Sequence, residues 1–201
     1  MNGPVVAVWW SRAAGDVREL ARALLVEAAA RALDQPAETI TVAHEPSGRP
    51  CLTGGAARLH VGVSHCAAGA VAVVLSPLAP VGIDIEVVRP LPARRLAGRW
   101  MLPEESEWLA THPPDERVGA FLRLWTYKEA VGKAYGTGLR GGGLRRPMPV
   151  HRAVRPELRA IPGDPQMAAA GLATGDIVLA VACGSRVADG LAVAVTEVPG
   201  G

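Results

Sequence analysis

The sequence predicts an α+β protein of two similar lobes, each a helix packed on a small antiparallel sheet, and three observations carry that expectation. Two long stretches read as helices: residues 16–33, where apolar side chains recur at helical spacing, and about 115–135, which glycines end. Around them lie short runs that either alternate apolar and polar residues or are apolar throughout, as half-buried and fully buried strands do. The chain also has the means to bury a core, with 201 residues of which 49% are apolar.

Taken in order, residues 5–10 read as a first strand, β-branched and aromatic, ended by Ser11 and Gly15. A helix follows over 16–33, with Leu20, Leu24, Ala28 and Leu33 on its apolar stripe, Asp16 placed to cap its start and Pro36 to stop it. Residues 39–43 and 59–64 alternate as strands, and Pro46, Gly48 and Pro50 mark the turn between them. Residues 70–76 and 81–88 read as more buried strands. Helices are then expected over 93–101, 104–110 and 115–135, the last ended by Gly136 and Gly138. Glycines 141–143 open a flexible basic loop, 140–147, that runs through Arg145 and Arg146. Closing strands are expected over 150–161, 175–183 and 191–198. The division that follows is an N-terminal lobe of residues 1–80 and a C-terminal lobe of residues 81–201.

The charge balance narrows the partners. A formal charge of +2 and a pI of 8.6 fall short of the dense Lys/Arg surface of a nucleic-acid binder, so no nucleic acid is expected, while an acidic protein partner stays open. Cys51, Cys66 and Cys183 are few, odd in number and far apart, which argues against a disulfide framework and for a reducing cytoplasm. Residues 66–83 are uncharged and mostly apolar, but Gly69, Ser76, Pro77 and Pro80 break the run into two strands and a turn, so no membrane span is expected. No signal peptide is visible at the N-terminus.

Four segments carry candidate chemistry. In Val81-Gly-Ile-Asp-Ile-Glu-Val two acids interrupt an apolar strand, and strand alternation points Asp84 and Glu86 to one face. Adjacent carboxylates repel unless a cation sits between them, and hard oxygen donors select Mg²⁺, or Mn²⁺, over softer metals. Taken alone, the pair also fits two acids facing solvent from a one-sided sheet. On the helix over 115–135, Trp125, Glu129 and Lys133 stand one turn apart on one face, an arrangement that alone is also an ordinary surface salt bridge. Ser64-His65 ends a strand with a hydroxyl and an imidazole able to hydrogen-bond phosphate, and Gly48-Arg49-Pro50 presents an Arg at a turn. Each of these two is equally a plain turn with a part-buried or exposed polar residue.

Together and in this order, Gly48-Arg-Pro, Ser64-His65, Gly82-Ile-Asp-Ile-Glu86 and Trp125-Thr-Tyr-Lys-Glu-Ala-x-x-Lys133 resemble the 4′-phosphopantetheinyl transferases of the larger, monomeric type that serve polyketide and nonribosomal peptide synthases. The resemblance covers roughly residues 16–139. It implies coenzyme A bound in the cleft between two pseudo-twofold lobes, and a cytoplasmic monomer whose partner is an acyl or peptidyl carrier protein. It implies that Asp84, Glu86 and Glu129 ligate Mg²⁺ on the coenzyme A pyrophosphate, and that Glu129 takes the proton of the carrier serine. Lys133 would neutralise phosphate charge in the transition state, while Arg49, Ser64 and His65 would hold the nucleotide end. Glu105 resembles a further acid of the family.

The chain departs from the family pattern before its first helix. A basic segment that the family uses on the 3′-phosphate of coenzyme A is missing, and Ala23 stands where a threonine is usual. Dephospho-coenzyme A is therefore expected to serve within about tenfold of coenzyme A, about 1.4 kcal/mol, unless Arg12, Arg18 or Arg22 has taken the role. Two other function classes compete with this reading: a noncatalytic module of the same fold that binds carrier proteins or coenzyme A, and an unrelated Mg²⁺-dependent phosphohydrolase or nuclease. The second leaves Lys133 and the Ser-His segment without a role.

Overall fold

The structure, a computed structural model, describes residues 6–12, 15–149, 157–184 and 192–199. In chain order the elements are β1 (Ala7–Arg12), α1 (Val17–Leu33), β2 (Thr41–His44), β3 (Pro50–Thr53), β4 (His60–His65), β5 (Ala70–Ser76), β6 (Val81–Val87), α2 (Ala93–Trp100), α3 (Pro103–Ala110), α4 (Arg117–Tyr135), β7 (Arg159–Ile161), β8 (Asp164–Thr174), β9 (Ile177–Gly184) and β10 (Ala194–Val198). This is the expected α+β class. Two four-stranded sheets form, ordered β10-β1-β5-β4 and β6-β9-β8-β7, and β2-β3 make a separate hairpin.

Strand alternation gives each sheet two apolar faces, and three buried clusters take them up. Val8, Ala72 and Val74 of the first sheet meet Ile83, Ile85 and Val181 of the second in a shared core. The outer face of the first sheet, through Val71, Val73 and Leu75, is covered by Leu24, Leu25 and Ala28 of α1. The outer face of the second, mostly small residues such as Ala169, Ala180 and Ala182, is covered by Phe121, Leu122 and Val131 of α4. Small sheet residues let α4 come close. A Cβ on Gly82 would stand 2.1 Å from the Ala130 carbonyl oxygen and 2.4 Å from the Ala134 nitrogen, so only glycine permits this approach.

The caps behave as the sequence implies. The Asp16 carboxylate accepts from the Arg18 amide at 2.8 Å, and Asp34 closes α1 in the left-handed region, with φ 53°. Gly136, with φ 73°, ends α4 in the same way.

Three features differ from expectation. The partner of β2 is β3, within the stretch read as a turn and its exit, and not the later strand at 59–64, which instead pairs with β5. The eleven-residue β8 was not expected at all. Its run Met-Ala-Ala-Ala-Gly-Leu-Ala lacks β-branched residues because Tyr127 of α4 packs against it, with a Cβ on Gly171 placed 2.7 Å from the tyrosine oxygen. Finally, the sheets are not wholly antiparallel: β10 runs parallel to β1, so a strand of the second half of the chain completes the sheet built by the first. Most of the strand expected over 150–161 falls on 150–156, which lie outside the described residues, and β7 is its described end.

Candidate active site

Three elements meet at one point. The end of β4 brings Ser64 and His65, β6 brings Asp84 and Glu86 on the face toward α4, and α4 presents Trp125, Glu129 and Lys133 at successive turns. The close approach that Gly82 allows places Lys133 over Asp84. The Lys133 ammonium donates to Asp84 Oδ1 at 2.7 Å and to Ser64 Oγ at 3.0 Å, and the Ser64 hydroxyl donates to the same Oδ1 at 2.9 Å. The Ile85 amide also points at Ser64 Oγ, at 3.4 Å. These groups border a cavity of about 830 Å³ that also takes in His65, Glu86, Glu129 and Trp125.

The carboxylates here are strained electrostatically. Asp84 is 6% exposed, and burial raises its pKa above the usual carboxylate range while Lys133 opposes that rise. Its second oxygen, Oδ2, is buried and has no hydrogen-bond partner among the described residues. Glu129 is likewise raised, first by burial, then by the negative charge of Asp84, with Lys133 pulling the other way. Glu86 is held outward by Arg89, whose guanidinium donates to Oε2 at 2.6 Å.

An orphaned buried carboxylate oxygen beside two further acids is a set of hard donors short of positive charge, and this fits a divalent cation such as Mg²⁺. The cage is not preformed. Among the described residues no three His, Cys, Asp or Glu side chains stand close enough to hold an ion, and Asp84 and Glu86 are ion-paired to Lys133 and Arg89.

Two expected site residues do not border this cavity. Gly48 and Pro50 border the cavity, but the Arg49 guanidinium is held by the Val81 carbonyl at 3.0 Å and the Ala134 carbonyl at 3.4 Å. It ties the β2-β3 hairpin to β6 and to the end of α4. Glu105 does not border the cavity either. It is buried against Lys128, whose ammonium donates to Oε1 at 2.8 Å and to the Arg146 carbonyl at 2.6 Å. Conversely, Arg18 and Arg22 of α1 and His44 of β2 do border the cavity. The arginines stand one turn apart on a helix whose apolar stripe is offset from them, and His44 follows Val42 by the two-residue period of a strand. Arg12 is not with them, since it is ion-paired to Asp176 at 2.9 Å.

A helix laid across two edge strands to gather acids, a lysine and a serine in one cavity can act on an anionic substrate that a metal helps to hold. A family model described as the 4′-phosphopantetheinyl transferase superfamily matches residues 80–182, just over half of the chain. The chain belongs to that superfamily. It is 30% identical over 129 residues to the 4′-phosphopantetheinyl transferase gsp of Aneurinibacillus migulanus, covering 62% of this chain and 52% of that protein. It is 33% identical over 107 residues to psf-1 of Bacillus pumilus, covering 53% and 44%, and 43% identical over 60 residues to HetI of a Nostoc species, covering 29% and 25%. The chain thus spans between a quarter and about half the length of these relatives.

Proposed function

We propose that this chain transfers the 4′-phosphopantetheine arm of coenzyme A to a serine of an acyl or peptidyl carrier protein, as a Mg²⁺-dependent cytoplasmic monomer releasing 3′,5′-ADP. The observation that carries the reading is the junction of Ser64, Asp84, Glu129 and Lys133 in one cavity. Among the described residues no helix is long and apolar enough to cross a membrane.

In this reading the serine oxygen forms a bond to the β-phosphorus, the bond from that phosphorus to the bridging oxygen breaks, and 3′,5′-ADP departs with the bonding pair. Glu129 accepts the serine proton, and its burial makes it a better proton acceptor than an exposed carboxylate. Lys133 leaves Asp84 to meet the charge that grows on the phosphoryl oxygens. Asp84, Glu86 and Glu129 would hold the cation, which supplies neutralisation of the pyrophosphate. Ser64 and His65 would hold phosphate and nucleotide. Arg49 acts as a strut from behind, since both described hydrogen bonds of its guanidinium go to main-chain carbonyls.

The deciding experiment incubates an apo acyl carrier protein with this protein, coenzyme A and Mg²⁺, and reads the carrier by mass spectrometry. A gain of one phosphopantetheine arm that chelation abolishes is expected. No gain, with the carrier nonetheless bound, would turn the reading into that of a noncatalytic module.

The donor end gives a second expectation. Arg18 and Arg22 border the cavity and Arg12 does not, so the first two are the groups that take over the 3′-phosphate. Coenzyme A should then exceed dephospho-coenzyme A in kcat/KM by more than about tenfold, given about 1.5–3 kcal/mol for a charge-assisted contact. Arg18→Ala and Arg22→Ala should erase that preference. Equal use of the two donors by the unaltered protein would remove the assignment.

A further inference from the structure

The two four-stranded sheets cover their shared core unevenly. Val8 and Trp10 of β1 belong to that core, and their register partners on β10 are Val195 and Glu197, so strand pairing puts all four side chains on the core face. Burial runs out along this stripe. Val193 is 5% exposed, whereas Val195, two residues on and on the same face, is 37% exposed. The facing strand behaves alike: Ala168 and Ala170 of β8 are buried, Leu172 is half-buried and Thr174 is exposed. The space left where the two inner faces part is an open cavity of about 250 Å³. Buried Trp10, Ile177 and Leu179 border it at depth, and Thr174, Val195 and Glu197 border it at the surface. No described residue borders both this cavity and the one that holds Asp84 and Glu129.

The lining states what such a space selects. Its walls are apolar, and its volume lies below the range of about 300–1,000 Å³ typical of sites for drug-sized ligands, which leaves room for one ring or a short alkyl chain. Among the described residues that border it, Glu197 carries the only charge, and its carboxylate has no ion-pair or hydrogen-bond partner among the described residues. The neighbouring charges cancel each other, since Arg12, two residues after Trp10, is ion-paired at 2.9 Å to Asp176, the residue before Ile177. A cation is therefore favoured over an anion, and the Trp10 indole adds to that preference through its ring face. We infer that this crevice is a second ligand site, separate from the transfer reaction, for a small hydrophobic primary amine. The apolar body of the amine covers Val195 and Leu172, and its ammonium pairs with Glu197.

The probe is 2-phenylethylamine, compared with 2-phenylethanol and phenylacetate, which keep the body and change the charge. Asp84, Glu86 and Glu129 also attract amines, so binding is followed residue by residue through amide NMR shifts of the whole chain. The unaltered protein, Glu197→Gln and Val195→Phe are titrated, the last because a larger side chain at an exposed position fills the crevice. Shifts centred on Trp10, Leu172, Ile177 and Val195 are expected, with a dissociation constant below about 1 mM for the amine. The alcohol should bind about threefold or more weakly, and the carboxylate more weakly still. Glu197→Gln should bring the amine down to the level of the alcohol and leave the alcohol unchanged, and Val195→Phe should remove both. The amine should also raise the melting temperature of the unaltered protein and not that of Val195→Phe. If Val195→Phe unfolds, the comparison of amine with alcohol in Glu197→Gln decides by itself, because that carboxylate is exposed and unpartnered among the described residues. Equal binding of the three probes would overturn the site, as would amine shifts confined to the residues around Asp84 and Glu129. Shifts at Val195 and Trp10 that follow protein concentration and ignore the amine would overturn it too, since a second copy of the chain would then cover the crevice.

Discussion

Lys128→Met is expected to lower the unfolding free energy by about 3–5 kcal/mol, the range for breaking a buried ion pair from one side. Lys128 is 0% exposed, and burial pushes its pKa down while Glu105 pulls it back up. The pair holds three segments together. Glu105 Oε1 also accepts from the Met148 amide at 3.1 Å, and Oε2 accepts from the Leu102 amide at 3.1 Å, so the first turn of α3, the middle of α4 and the strap after the glycine-rich loop all meet at one carboxylate. Removing the ammonium leaves that charge buried with amides alone. A second change, Glu105→Gln, takes away the orphaned charge and keeps an oxygen for one of the amides, so the double variant should regain most of the loss. Urea unfolding of the unaltered protein, both single variants and the double variant gives the coupling directly. A single-variant loss below about 1 kcal/mol would mean that water reaches the pair on unfolding of the strap alone.

Asp84→Ala should have the opposite profile, with activity falling on the order of 10³-fold and stability holding or rising. The carboxylate is 6% exposed, has an oxygen with no partner among the described residues and is raised by burial, so the fold gains little by keeping it charged. Lys133, its ion-pair partner, is 33% exposed at its side chain and can turn to water when Asp84 is gone. Transfer assayed by carrier mass, together with thermal unfolding of the same preparation, checks both halves. Activity within about tenfold of the unaltered protein would remove Asp84 from the reacting groups.

Much of this site was legible because its chemistry violates local pattern. Asp84 and Glu86 stand out as acids in a strand whose other residues are Val, Gly and Ile, and Glu129 and Lys133 fall on one helical face by spacing alone. Helices α1 and α4 were legible from their ends, since Asp16 caps the first and Gly136 closes the second. What the pattern missed depends on contacts distant in sequence. β8 is a strand because β7 and β9 flank it and Tyr127 fills the space above Gly171, and none of this shows in a run of alanines. Glu105 looked like a site acid, but its partner is Lys128, 23 residues away, in a motif where Glu129 and Lys133 draw attention first. The contacts of Arg49 were not legible, because an exposed turn offers no hint that two carbonyls, one of them at the end of α4, stand within its reach.

The parallel pairing of β10 with β1 bears on how the protein is made. Ala7 pairs with Ala194 and Ser11 with Val198, so β1 leaves the ribosome long before the strand that covers its second edge. During that interval the run Val-Trp-Trp presents unpaired amides and carbonyls beside two indoles. Pairing so distant in sequence is slow to form. Newly synthesised chains should therefore stay prone to aggregate, and dependent on chaperones, until β10 has emerged.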